Sequence, residues 1–161
     1  GSEMCIRDRC VGLTEKQVIV VPTHSIPQGI SAMMSVDTAE EDPQAILAAM
    51  TEAAAAVTTA QITYAARNSD FDGFAINEGD YLALLDGKLF GTERDITSLL
   101  TRLAALAAER EAAFVTLFYG EGVSQEEAEA AQALFTEACP ETEVSLLSGG
   151  QPVYYYTISI E

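Results

Sequence analysis

Two stretches of the chain repeat one plan: an unbroken apolar run, a short polar or glycine-containing turn, then a capped helix. The first is residues 18–29, VIVVPTHSIPQG. Its run from Val18 to Val21 is β-branched throughout, without polar alternation, which is the pattern of a strand buried on both faces. Pro22 ends the run. Thr23, His24 and Ser25 make the turn, with Ser25 placed as an N-cap and Pro27 in the first helical turn. The second stretch is residues 114–138. FVTLFY reads as a buried strand and Gly120-Glu121-Gly122 as the turn. Ser124 and Glu127 have capping-box spacing, and Val123 and Ala128 are placed as a hydrophobic staple. Strand–turn–helix units belong to α/β architectures, whose functional turns sit at the carboxyl ends of strands.

The rest of the chain builds around these stretches. Residues 30–34 predict a short helix and residues 37–43 an acidic linker. Asp42 and Pro43 then start a long helix with Ile46, Leu47, Met50, Ala53, Ala54 and Val57 as its buried stripe. The period changes to two over residues 58–66, a strand. Residues 74–76 and 81–85 follow as strands, and Asp86-Gly87 turns the chain back into residues 88–90. Gly91 closes this antiparallel unit. Thr92 and Asp95 have the spacing of a capping-box variant for a helix to about Arg110, with Ile96, Leu99, Leu100, Leu103 and Leu106 inward. The helix after the glycine turn buries Ala128, Ala131, Leu134, Phe135 and Ala138 and stops at Pro140. Residues 143–147 and 153–160 are the last strands, linked by residues 148–152, SGGQP. The expected fold class is α/β (mixed α+β): buried strands with packed helices, an antiparallel hairpin unit and a C-terminal strand pair. Residues 1–11 read as a leader, tag or artefact. Segments 12–57, 58–91 and 92–161 are expected to make one compact domain.

Charge narrows the partners. The net charge is −17, and beyond residue 11 there are 23 acidic against 6 basic side chains. Nucleic acids and anionic membranes both require basic surface, so neither is expected as a partner. No apolar run approaches the ~18 residues of a membrane span. Of three cysteines, Cys5 and Cys10 lie in the leader and Cys139 stands alone. That count rules out a structural zinc site and suits a reducing, cytoplasmic setting.

Few residues suggest chemistry. His24 is the only histidine. Its neighbours Thr23 and Ser25 cannot easily face it, and no nucleophile elbow is present, so a surface or capping role is expected. Asp70 and Asp72 begin an acidic loop that continues to Glu78 and Asp80. Oxygen ligation of a divalent cation there, in a small metal-dependent phosphatase or hydrolase, is the alternative to simple turn-forming. Gly120-Glu121-Gly122 lacks the glycines and lysine of a phosphate loop, and Glu121 would repel phosphate. In SGGQP, Gly149 and Gly150 allow positive φ and close backbone approach, and Gln151 offers donor and acceptor. Tyr154, Tyr155 and Tyr156 follow, and alternate tyrosines of a strand face opposite sides.

Taken together, four blocks resemble one family: VIVVPTHSIPQG, ITYAARNSDFDGFAINEGDYLALLDGKLF, FVTLFYGEGVSQEEAE and SGGQPVYYYTISIE. Over residues 12–161 the chain is similar to the C-terminal domain of the dihydroxyacetone-kinase-like fatty acid kinase subunit, which is also described as a DAK-type phosphatase. The resemblance implies a bacterial, multi-domain parent whose N-terminal helical domain holds ATP and magnesium. The C-terminal domain then engages a separate fatty-acid-binding protein, and the acyl carboxylate is phosphorylated for phospholipid synthesis. It also implies a partial domain, beginning at the second half of an α/β unit. On this basis the chain is expected to hold no catalytic site, no cofactor and no metal. His24, Gln28, Gly149, Gly150, Gln151 and Tyr154 are the expected partner-binding residues. A homodimer formed through the parent chain, as a purely structural module, is the further alternative.

Overall fold

The computed structural model describes residues 12–71 and 74–161. It divides into two compact units, with the boundary between Val57 and Thr58. The first contains α1 (Ile26–Met34) and α2 (Pro43–Ala56). Ser25 caps α1, its side chain accepting from the Gln28 N–H at 3.3 Å. Asp42 caps α2, accepting from the Gln44 N–H at 3.0 Å. Both helices place proline in the first turn, where the missing N–H costs nothing. The α1 helix starts four residues earlier than its periodicity predicts, because the Ser25 cap and Pro27 set its beginning.

The expected strand over residues 18–21 is not formed. Val18, Ile19, Val20 and Val21 are half-buried and join no ladder; a strand exists only where a neighbour takes its hydrogen bonds. The nearest structure is a tight turn in which the Thr23 N–H donates to the Val21 carbonyl at 2.9 Å.

The second unit is a six-stranded mixed sheet with two helices. In chain order it runs β1 (Thr58–Tyr64), β2 (Ser69–Phe71), β3 (Phe74–Ile76), β4 (Tyr81–Leu85), β5 (Lys88–Glu93), α3 (Ile96–Glu109), β6 (Phe114–Tyr119), α4 (Gln125–Ala138), β7 (Glu143–Ser148) and β8 (Tyr156–Ile160). The main sheet has the order β5-β4-β1-β8-β6-β7, and β2 and β3 pair as a separate antiparallel two-stranded sheet. Within the main sheet only β6 and β7 are parallel, joined by α4 as a crossover. Asp86 and Gly87 both have positive φ, 49° and 80°, as a two-residue type I′ hairpin turn requires. The two C-terminal strands are not neighbours, since β6 lies between them.

Each ladder sends alternate residues to the face that carries the helices. Ala60 and Ile62, Ala83, Val115 and Leu117, and Ile158 and Ile160 meet Leu99, Leu103, Ala107, Ala128 and Phe135 in one core. Burial of a Leu or Phe side chain of this kind contributes about 2 kcal/mol. The α4 stripe ends on Cys139, which is buried, whereas Ala138 is exposed. Cys139 donates its thiol hydrogen to the Ala104 carbonyl at 3.3 Å, and burial pushes that thiol's pKa up. At α3 the N-cap is Asp95 alone, accepting from the Ser98 N–H at 3.1 Å. Thr92 does not cap because it is still in β5, paired with Leu82; the strand continues through Gly91.

Candidate functional site

All six tyrosines of the chain gather at one end of the sheet. Tyr64 ends β1 and is paired with Tyr81, the first residue of β4. Tyr119 ends β6 and is paired with Tyr156, the first residue of β8. Tyr154 and Tyr155 lie just before β8. Rings of Tyr64 and Tyr81 meet edge to face at 5.6 Å, and those of Tyr81 and Tyr155 at 5.5 Å. This is also the carboxyl end of the two parallel strands, where α/β sheets place their functional loops.

The expected strand 153–160 is shorter at this end. Val153 has φ +73°, which takes the backbone out of the extended region, and the Tyr154 N–H turns back to the Pro152 carbonyl at 2.8 Å. The chain enters the ladder at Tyr155, whose N–H donates to the Ile62 carbonyl at 2.8 Å. The SGGQP loop is fastened to the end of β6. The Gly149 and Gly150 N–H groups both donate to the Tyr119 carbonyl, at 2.9 and 3.2 Å. The Gln151 side-chain amide donates to the Phe118 carbonyl at 2.9 Å, and the Glu121 N–H donates to the Gln151 carbonyl at 3.1 Å. Gly120 is required by this packing. A Cβ there would meet the Gln151 carbonyl oxygen at 2.6 Å and that of Tyr154 closer still. A small cavity of about 140 Å³ remains between the glycine turn and the loop, lined by Glu121, Gln151, Val153 and Tyr154 among others.

Four of the expected contact residues, Gly149, Gly150, Gln151 and Tyr154, therefore share one loop. Gly149 and Gly150 are exposed, Tyr154 is half-buried, and Gln151 is a latch. His24 and Gln28 belong to the first unit. His24 is exposed, and its N–H donates to Gln28 Oε1 at 2.8 Å, so Gln28 closes the start of α1. Sequence reading passes over Val153, a β-branched residue 73% exposed with φ +73°. Its signal is the proline before it, which favours a turn over a strand start.

The α4 turn forms the full capping box. The Ser124 side chain accepts from the Glu127 N–H at 3.3 Å, and Glu127 accepts from the Ser124 N–H at 2.9 Å and hydroxyl at 2.7 Å. Those bonds hold the Glu127 carboxyl below the usual carboxylate range. Burial and the nearby Glu127 charge push Tyr156 up to about 12.

In the acidic loop, Asp80 is buried. It accepts from the Asn77 N–H and side-chain amide and pairs with Arg94 at 3.2 Å. Asp70 is exposed in β2, and Asp72 lies outside the described residues. Among the described residues, no three His, Cys, Asp or Glu side chains converge as a metal site. No helix among them is long and apolar enough to cross a membrane.

Comparison with known proteins agrees with this architecture. Protein YloV of Bacillus subtilis (strain 168) is 33% identical over 154 residues, covering 96% of this chain and 28% of the relative. An uncharacterized protein of Staphylococcus aureus (strain USA300) is 29% identical over 157 residues, with the same coverage. The chain thus spans little more than a quarter of the length of these relatives. Among solved structures, a DegV family protein from Corynebacterium glutamicum superposes with TM-score 0.68 at 15% identity, over 95% of this chain and 66% of that one. A fatty acid binding DegV family protein from Streptococcus agalactiae gives 0.63 at 16%, over 95% and 63%. These two likenesses establish a shared fold. The FakA-like C-terminal family of fatty acid kinase subunits matches residues 8–161, and the chain belongs to that family.

Proposed function

We propose that the chain is a docking module, and that the tyrosine end of its sheet receives a separate protein carrying a bound fatty acid. The observation that carries this reading is Val153. A β-branched side chain in left-handed backbone is strained, persists only where its surroundings fix it, and is characteristic of binding sites. Here it is exposed on a loop latched to β6, beside glycines and tyrosines, a composition suited to a protein contact. Membership in a fatty acid kinase subunit family supports the choice of a fatty-acid-carrying protein as partner. ATP, magnesium and phosphoryl transfer to the acyl carboxylate are assigned to parts of the longer parent outside this chain, acting in the cytoplasm.

Titration calorimetry of the full chain with a fatty-acid-loaded DegV-family protein tests the reading. The expected affinity is micromolar or tighter. Val153→Asp and Tyr154→Ala are expected to weaken it at least tenfold with no change in the circular dichroism spectrum. Absence of heat with a folded sample overturns the proposal. His24→Ala and Gln28→Ala ask whether the first unit adds a second contact. A metal-dependent phosphatase activity lost in Asp72→Asn would instead place function in the acidic loop.

A further inference from the structure

A larger cavity, about 330 Å³, opens between the first turns of α3 and α4. Leu100, Val123, Ala131 and Leu134 supply apolar lining, Tyr81, Tyr155 and Tyr156 supply aromatic lining, and Glu127 is the charged group. No lysine, arginine or histidine is among the described residues that line it. Both helix N-termini at this cavity already hold a carboxylate, Asp95 on the Ser98 N–H and hydroxyl and Glu127 on those of Ser124. Each offsets the positive end of its helix dipole, so the place does not favour an anion. The Tyr81 hydroxyl also borders this cavity. Burial first, then Tyr155, Tyr64, Asp95 and Glu127, hold its pKa above the usual range.

An apolar ligand in this cavity leaves the exposed Glu127 carboxylate, held by Ser124, without a counter-charge. An anion would be repelled. A cation on an alkyl stem meets every requirement: the stem covers the apolar lining, and the head meets the carboxylate and the phenol rings. We propose that this cavity is a site for a guanidinium or ammonium head on an alkyl stem, presented as an arginine or lysine side chain by the docking partner. The partner assignment rests on the docking reading above; the cation chemistry does not. The excess of acidic side chains over the whole chain would draw such a basic partner in.

Glu127→Gln is the decisive variant, because glutamine also serves at the third position of a capping box and the helix start is kept while the charge is lost. The 161-residue chain is titrated with N-acetyl-arginine amide and, in parallel, with its uncharged counterpart N-acetyl-norleucine amide. NMR shifts of Val123 and Leu134 are followed. The arginine compound is expected to give saturable millimolar shifts. These should weaken at least fivefold in Glu127→Gln and in Tyr155→Ala, and again in 0.5 M salt. Equal shifts from the norleucine compound, or an unchanged Glu127→Gln, overturn the cation site. With the DegV-family partner, Glu127→Gln is expected to lower affinity at least tenfold and flatten its salt dependence. If the arginine compound binds as expected while no partner binds the wild-type chain, the docking reading falls and the cation site stands.

Discussion

Residues 114–138 and residues 18–34 each pass from an apolar segment through a capped turn into a helix, and they bury their side chains to very different extents. In the first, Val115 and Leu117 are fully enclosed, β6 is paired on both sides, and α4 seals Ala128, Ala131 and Phe135 into the core. In the second, Val18 to Val21 stay half-buried without a ladder, and α1 buries only Pro27 and Ala32. Ile26, Met33 and Met34 of α1 are exposed, Met34 at 82%. The helix starts, by contrast, are alike. Ser124 and Ser25 each accept from the N–H three positions on, while Glu127 reaches back to the Ser124 N–H and Gln28 to that of His24. A cap is completed by its own neighbours in sequence, whereas a strand depends on a partner far along the chain.

Paired substitutions test how deep this difference runs. The largest effect is expected at Phe135→Ala, which opens the core and costs about 3–5 kcal/mol. Met33→Ala on exposed α1 is expected to stay within about 0.5 kcal/mol. Urea unfolding followed by circular dichroism gives both values, and equal costs would erase the distinction. Next come two glycines. Gly120→Ala drives a Cβ into two carbonyl oxygens and is expected to destabilise by about 1–3 kcal/mol. Gly29→Ala, whose Cβ meets nothing nearer than Thr23 Oγ1 at 4.0 Å, is expected to stabilise α1 by about 0.5–1 kcal/mol. Hydrogen exchange across α1 and α4 reads the two signs separately. Ser124→Ala and Ser25→Ala are each expected to cost about 1 kcal/mol; similar losses would show that the caps are equivalent although the packing is not.

A pH dependence confined to the tyrosine end is seen only in strongly alkaline solution. Tyr156 is held protonated in the folded state, its pKa pushed up to about 12 against the ordinary 10.0. Its contribution to stability is therefore complete below pH 10 and is lost as the pH rises from 10 through about 12. Absorbance titration at the phenolate band should show a late component that disappears in Tyr156→Phe. A titration identical in wild type and variant would contradict the burial of this hydroxyl.

What can be read in the sequence follows the same division. Ser25, Asp42, Ser124, the Asp86-Gly87 turn and the stripes of α3 and α4 are legible, because each is decided within a few residues. The pairing of β8 with both β1 and β6 is not, because composition says nothing about which strands meet. Likewise, the SGGQP loop stands out by its glycines, yet its latch onto β6 and the assembly of six tyrosines require the sheet order. For Val18 to Val21, β-branching predicts a strand, but it describes a preference of the backbone and not a neighbour. Asp80 has the chemistry of a metal ligand, yet its carboxylate is occupied by Arg94 and Asn77.

The interior position of β8 also has a kinetic meaning. Thr58 pairs with Ile160, so two neighbours at the middle of the sheet are separated by almost the whole unit. Until β8 arrives, β5-β4-β1 and β6-β7 are separate half-sheets, with the edges of β1 and β6 open. Contacts of such long sequence separation must pay for loop closure before they reward it, and they slow folding. A slow, single late step that joins two preformed halves is therefore expected in refolding, and the open edges before it are the stage most exposed to misassociation.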